Sequence, residues 1–393
     1  MRPHDELLAA AQAETGLDDF GDDSFREGLE RLVRSLRAEA RLNDLGEVVL
    51  PHLITNLLAQ RLRIEDWYRR HPEIDDEPVD APLIGLGLPR TGSTAVSFLL
   101  AEDPHARSLR QWEAAAPCPP PSTVAGPDPR IAEAEAAAAA RAELAPRMAA
   151  LVPSSPTGPE ECQDLMALDF RAHYFQAFAH VPSYSAWLRD ADLTSTYAYE
   201  RRVLKLLQWG APARPWRLKC PSHLLWLGAL DRAFPDARFV MTHRDPVEVI
   251  VSVVDVYVEV GQQFSRDLDL AYLGELNVDH WTTAMERLLA FRDAGADDRV
   301  YDMGFEAVQA DPVAEVGKLY AWLGEPVTPE FEAGMRRWWA DHAARREPNV
   351  HPDPAAFGLD LDEVGRRFAG YTARMAEWTA TGTATGTGTG APA

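Results

Sequence analysis

Apolar positions along the chain change period, and the changes mark out its elements. In residues 24–44, Leu29, Leu32, Val33 and Leu36 recur at helical spacing. A second amphipathic helix is predicted over 50–67, with Leu53, Ile54, Leu57, Leu58 and Leu62 on one stripe. These stripes predict a helical preface, residues 1–80, packed on a core. The acidic, Pro-containing stretch His71–Pro82 reads as a linker within one globular unit. Ile84, Leu86 and Leu88 then form a short strand, followed by an apolar helix from Ser93 that ends near Asp103-Pro104, because proline disfavours helix at the residue before it. Farther on, a strand at Trp216–Lys219, a helix at Ser222–Phe234, a strand at Arg238–Thr242 and a helix opened by Pro246 follow in quick succession. A strand near Arg299–Met303 and helices at Pro312–Leu323 and from Pro329 to about Ala344 complete the series. Strands alternating with helices of this length predict an α/β fold: a P-loop-like parallel sheet flanked by helices, with the helical preface and helical insertions added. The α/β domain is expected over 81–375.

Two segments depart from this alternation. After the turn-rich run PCPPPSTVAGPDP, residues Arg130 to Ala150 are rich in Ala and Glu and favour helix, with Pro146 as an interruption. The insertion reads as either a lid or pocket wall, or a plain solvent-facing helix. From Pro159 to Trp209 the chain is mostly helical and dense in aromatics, which suits a core and also the wall of an apolar substrate cavity. EPNVHPDP is a candidate loop over a site. Residues 376–393, which include TATGTATGTGTGAPA, are expected to be a disordered low-complexity tail.

Composition narrows the function classes. Across 393 residues, Lys plus Arg number 39 against 61 Asp plus Glu, for a net charge of -22. Such a chain is a poor binder of nucleic acid or anionic membrane, so an anionic ligand would need locally concentrated cations. The three cysteines, Cys118, Cys162 and Cys220, have no metal-like spacing and cannot all pair. That suits a reducing compartment. His173 and His180 lack an acidic partner at ligand spacing, so no metal site is expected. No targeting sequence opens the chain and no stretch approaches 18 uninterrupted apolar residues, which predicts a soluble, cytoplasmic protein without membrane insertion. Oligomeric state is left open, a homo-oligomer included.

The candidate chemistry gathers at the ends of three expected strands. Gly87 and Gly92 bracket Leu88, Pro89, Arg90 and Thr91 with the G-x-x-x-x-G spacing of a phosphate loop. A strand feeding a helix through such a loop aims unpaired N–H groups and the positive helix end at one anion. No Walker Lys follows Gly92; Ser93 and Thr94 stand there, and the loop's cation is Arg90, whose guanidinium can fork onto phosphate or sulfate oxygens. The strand at Trp216–Lys219 ends in Lys219, and the strand at Arg238–Thr242 is followed by His243 and Arg244. In a parallel sheet ligands bind beyond the C-terminal strand ends, so Arg90, Lys219 and Arg244 are expected around one polyanion. Ser252, eight residues after Arg244, would join them if its helix folds back beside the strand. His223 is an acid–base candidate or a capping-region residue, and His243 a core or pocket histidine.

These residues carry a family resemblance over about residues 80 to 370. PRTGST, Pro89 to Thr94, resembles the 5'-phosphosulfate-binding loop of sulfotransferases, in the branch having Arg where cytosolic members have Lys. RDPVEVIVS, Arg244 to Ser252, resembles their 3'-phosphate motif, and WRLKCPSHL, Trp216 to Leu224, resembles a segment of bacterial sulfotransferases related to tyrosylprotein sulfotransferases. The resemblance implies metal-independent, in-line transfer of a sulfuryl group from 3'-phosphoadenosine 5'-phosphosulfate to a hydroxyl of a small-molecule acceptor. It assigns donor binding to Pro89, Arg90, Thr91, Gly92, Ser93, Thr94, Arg244 and Ser252, and catalysis to Arg90 and Lys219. A base is drawn from Glu113, the counterpart of the tyrosylprotein enzymes' Glu, or from His223. No equivalent of the C-terminal Arg-Lys-Gly stretch of cytosolic members is found; Arg345 and Arg346 are weak stand-ins. A P-loop kinase or NTPase, which would depend on magnesium, and a catalytically inactive nucleotide-binding scaffold are the alternatives.

Overall fold

The computed structural model describes residues 1–151, 155–345 and 352–384. Five strands form one parallel sheet: β1 (Leu83–Gly87), β2 (Arg107–Ser108), β3 (Trp216–Lys219), β4 (Arg238–His243) and β5 (Val300–Gly304), in the order β2-β3-β1-β4-β5. The α/β expectation is met. β1 lies between β3 and β4, so the three strand ends singled out in the sequence are neighbours. Gly85 pairs with Lys219 on one side and Val240 on the other, and Gly87 pairs with Thr242.

Both sheet faces are covered, which is why the strands read as nearly continuous apolar runs. Ile84, Leu86, Phe239 and Met241 point into the larger core, shared with the preface and the aromatic segment. Leu83, Val240, Tyr301 and Met303 point into a smaller one, closed by the helices Pro312–Leu323 and Pro329–Arg345.

The preface folds as three helices, His4–Thr15, Ser24–Ala38 and Gly46–Arg70. The second stops six residues short of the expected 44, and the first was not anticipated. Arg61 pins the preface down from a fully buried position. It donates to the carbonyls of Phe20, Asp22 and Leu168 at 2.8, 3.2 and 3.3 Å. Its guanidinium lies 4.0 Å from the Tyr199 ring centroid. Neutral carbonyls, a carboxylate at 3.6 Å (Asp169) and aromatic faces together make a buried cation tolerable.

The aromatic segment folds into short helices ending with Thr194–Gln208. Phe170, Tyr184 and Tyr197 are buried in the core rather than lining an open cavity. The expected helix at 222–234 is instead a 3-10 turn, Pro221–Leu225, followed by a helix over Leu227–Ala233.

One boundary needs correction. Residues 376–384, expected in the disordered tail, belong to the helix Ala369–Ala384, because Trp378 is buried with the Arg292 guanidinium 3.6 Å from its ring centroid. Residues 385–393 of that tail lie outside the described residues, as do Arg346 and most of the EPNVHPDP loop.

Candidate active site

The phosphate-type loop is fixed by close approaches that only glycine permits. Gly87 has φ 145°, and a Cβ there would stand 2.3 Å from Thr242 Oγ1 and 2.8 Å from Thr91 Oγ1. Those hydroxyls meet at 2.6 Å, and Thr91 also donates to the Leu88 carbonyl at 2.7 Å. The loop is thus tied to itself and to β4. Arg90 adopts φ 68°, a left-handed conformation costly for a non-glycine residue, and Gly92 (φ 89°) leads into the helix Ser93–Leu100. The helix's first N–H groups have no intrahelical acceptor and open towards the same place. Pro89 is half-buried, Ser93 buried and Thr94 exposed.

Three predicted donor-site residues meet here. Arg90 Nε donates to Ser252 Oγ at 3.1 Å, and Arg244 Nη1 donates to the Arg90 carbonyl at 3.3 Å. The long helix Pro246–Phe264 does fold back beside the sheet, which is what brings Ser252 to Arg90. Arg244 lies over the Phe305 ring, 4.4 Å from its centroid, and also pairs with the exposed Glu248 at 3.0 Å. Burial, and then the neighbouring Arg244 cation, hold the Arg90 guanidinium below its usual range, with Asp255 opposing them. An anion between the two arginines would be stabilised by both.

Lys219 stands at the end of the neighbouring strand. Its side chain crosses β1 at Gly85, where a Cβ would come within 2.9 Å of Lys219 Cγ. The buried ammonium donates to Glu161 Oε1. Burial would lower its pKa, but Glu161 and Glu160 outweigh that and raise it, so Lys219 is a cation. Glu160 and Asp164 complete an acidic group around it. Burial pushes both carboxyls up, aided at Glu160 by the adjacent Glu161 and at Asp164 by Glu160 and Glu161.

The two base candidates from sequence fare differently. Glu113 is 2 % exposed and fully engaged. Oε1 accepts from Arg107 at 2.8 Å, and Oε2 accepts from the Arg110 backbone N–H at 3.2 Å, in a cap of the helix Gln111–Ala115. His223 is rolled into the core by the 3-10 turn. Its Nδ1 lies 3.0 Å from Tyr197 Oη, and burial drops its pKa to about 3, far from what an effective base needs. Sequence reasoning missed Glu161, whose only signal was a pair of carboxylates after Pro159. It also missed the role of the insertion's second part. The helix Pro129–Leu144 is largely exposed, but Pro146–Leu151 docks on the long helix, where Arg147 pairs with Asp255 at 2.9 Å and also with Glu259. The Leu151 carbonyl then accepts from Arg90 Nη1 at 2.7 Å. The insertion is a wall over the arginine.

A family model described as the sulfotransferase family matches residues 82–329, spanning the loop, the Lys219 strand and the Arg244–Ser252 segment. The chain belongs to the sulfotransferase family. It is similar to two solved mycobacterial sulfotransferases. STF9 from Mycobacterium avium shares 33% identity over 94% of this chain and 96% of its own, with a TM-score of 0.87. STF1 from Mycobacterium tuberculosis H37Rv shares 31% identity over 93% and 98%, with a TM-score of 0.83. No curated protein matches the chain. Both likenesses run across nearly the full length of this chain. Among the described residues, no helix is long and apolar enough to cross a membrane.

Proposed function

We propose that this sulfotransferase moves a sulfuryl group from 3'-phosphoadenosine 5'-phosphosulfate to a hydroxyl of a small-molecule acceptor, without a metal ion. The observation that carries the reading is the direct contact among Arg90, Ser252 and Arg244. The phosphate-type loop and a second cation–hydroxyl pair are in direct contact, which supports a ligand with anionic groups at both ends. In this reading Arg90 and the amides of Thr91 to Thr94 receive the 5'-phosphosulfate, with Pro89 and Gly92 shaping the turn, and Arg244 and Ser252 receive the 3'-phosphate.

The acceptor oxygen attacks sulfur in line as the sulfur–oxygen bond to the 5'-phosphate breaks, and the acceptor proton passes to a carboxylate. The transition state is loose, so positioning and charge stabilisation do most of the catalysis. Negative charge grows on the bridging oxygen, where Arg90 and Lys219 are the available cations. For the proton acceptor, the contact with Lys219 and a partly exposed side chain support Glu161 over Glu113, which would have to abandon its helix cap.

Calorimetric titration tests the reading. 3',5'-Adenosine diphosphate should bind more tightly than ADP or ATP, with and without magnesium. Tighter, magnesium-dependent binding of ATP would overturn it in favour of a kinase, and no binding of any nucleotide would overturn the donor assignment altogether.

A further inference from the structure

Beneath the Lys219 strand end, three ligand-type side chains from separate elements converge in the core. Cys162 precedes the short helix Gln163–Met166, Glu200 lies on the helix Thr194–Gln208, and His223 sits in the turn Pro221–Leu225. All three residues are 0 % exposed. The Cys162 Sγ, one Glu200 carboxylate oxygen and one His223 ring nitrogen lie within 4.8 Å of one another. Proximity alone would mean little. However, His223 Nε2 is buried without a hydrogen-bond partner, and the Glu200 carboxyl has only the Cys162 thiol beside it. Buried polar atoms are nearly always paired, so an unpartnered ring nitrogen next to a thiol and a carboxyl points to something held between them.

The surroundings favour a cation. Tyr197, one turn before Glu200 on the same helix, lies 3.0 Å from His223 Nδ1. With Nδ1–H donated to the Tyr197 oxygen, the Nε2 lone pair is free for a ligand, which is how ligating histidines are usually oriented. A thiolate and a carboxylate carry two negative charges and a neutral imidazole none, so a divalent ion leaves the buried site neutral. Mixed sulfur, nitrogen and oxygen donors suit zinc and exclude magnesium or calcium, whose sites are built from oxygen.

We propose that Cys162, Glu200 and His223 form a structural site for a divalent transition-metal ion, with zinc the best match. Tetrahedral coordination at zinc bond lengths places ligand atoms about 3.3–3.5 Å apart, so the three side chains draw in by roughly an ångström, and a water takes the fourth position. Cys162 and Glu200 each release a proton to solvent on binding. The site takes no part in the chemistry and does not depend on the donor assignment. Its effect is positional. The Cys162 N–H donates to the Lys219 carbonyl at 3.1 Å, and Glu161, the preceding residue, holds the Lys219 ammonium. A metal here clamps that segment to the turn that follows Lys219.

The test refolds the full chain from denaturant in the presence of Zn²⁺, of Co²⁺ or of chelator, and measures bound metal after dialysis. The expected result is about one metal per chain, with the cobalt form showing a thiolate-to-metal charge-transfer band and tetrahedral visible absorption. The band should vanish in Cys162→Ser and persist in Cys220→Ser, which alters a buried thiol outside the triad. If Cys162→Ser fails to fold, the spectrum of the unaltered chain still decides. A chain that refolds fully with no stoichiometric metal, or binds cobalt with no thiolate band, overturns the proposal and leaves a proton shared between Glu200 and His223.

Discussion

Replacing Arg244 by Ala tests whether this guanidinium holds the 3' end of the proposed donor. In the structure this guanidinium touches the exposed Glu248, the Arg90 carbonyl and the Phe305 ring. The exposed pair contributes about 0.3–0.5 kcal/mol, the cation–π contact about 0.5–1 kcal/mol and the hydrogen bond to the Arg90 carbonyl about 0.5–1.5 kcal/mol, so the variant should stay folded and lose roughly 1–3 kcal/mol of stability. Its contacts to a 3'-phosphate would be charge-assisted hydrogen bonds, each worth about 1.5–3 kcal/mol. Letting go of Glu248 takes back a few tenths of a kcal/mol. The expected loss is therefore roughly tenfold to a hundredfold in affinity for 3',5'-adenosine diphosphate. ADP, which lacks the 3'-phosphate, should bind the variant as it binds the parent. Titration calorimetry of both nucleotides on both proteins, at one fixed salt concentration, measures the two ratios. Equal weakening for both ligands would place Arg244 on the shared phosphates and refute the assignment; no weakening for either would remove it from the site.

Other perturbations probe the remaining parts. Glu161→Gln should lower kcat about 10²–10⁴-fold if Glu161 accepts the acceptor proton, whereas Glu113→Gln should show mainly a stability loss of about 1–3 kcal/mol in denaturant unfolding; the reverse pattern restores Glu113 as base. Gly87→Ala forces a Cβ to within 2.3 Å of Thr242 Oγ1 at a φ of 145°, so thermal unfolding should show a loss of several kcal/mol, and a neutral result would mean the loop relaxes freely. His280 is buried with its pKa lowered by burial to about 4, against 6.5 for the free side chain. Its neutral form is what the fold holds, so its share of stability is present above pH 6.5 and is lost as pH falls towards 4, roughly 3 kcal/mol in all. His280→Gln should remove that slope from the parent's pH-dependent unfolding curve; identical slopes would show that the histidine titrates normally.

The sheet and its three cationic strand ends were legible because they obey local rules. The structure accounts for the two glycines of β1, since the Lys219 side chain passes Gly85 and Thr242 packs against Gly87. Arg90 and Arg244 came together, with Lys219 at the end of the neighbouring strand, because parallel strands put their C-terminal ends on one edge. Other features depended on contacts between distant segments. Glu161 reaches Lys219 only because the stretch after Pro159 lies beside β3, and no pattern within that stretch says so. His223 read as an acid–base candidate or a residue of a helix's capping region, and the 3-10 turn carries it into the core instead. The helix to Ala384 runs into a Thr-, Gly- and Ala-rich sequence because Trp378 stacks on Arg292, a tertiary anchor that outweighs weak local preference.

The chain's acidity shapes the pocket it builds. With a net charge of -22, each pocket cation already has a partner: Arg90 has Ser252 and the Leu151 carbonyl, Lys219 has Glu161, and Arg244 has Glu248. An incoming anion therefore exchanges contacts rather than adding them, and a single phosphate displacing one partner gains little net free energy. A ligand with phosphate at one end and phosphosulfate at the other displaces several partners at once while losing its translational freedom only once. On that arithmetic the self-neutralised pocket discriminates against inorganic phosphate and singly phosphorylated nucleosides more sharply than an open cationic cleft would. The Pro146–Leu151 wall, held to the long helix by Arg147, sharpens it further, since the Leu151 carbonyl occupies one face of Arg90 and orients its remaining N–H groups for the proposed donor.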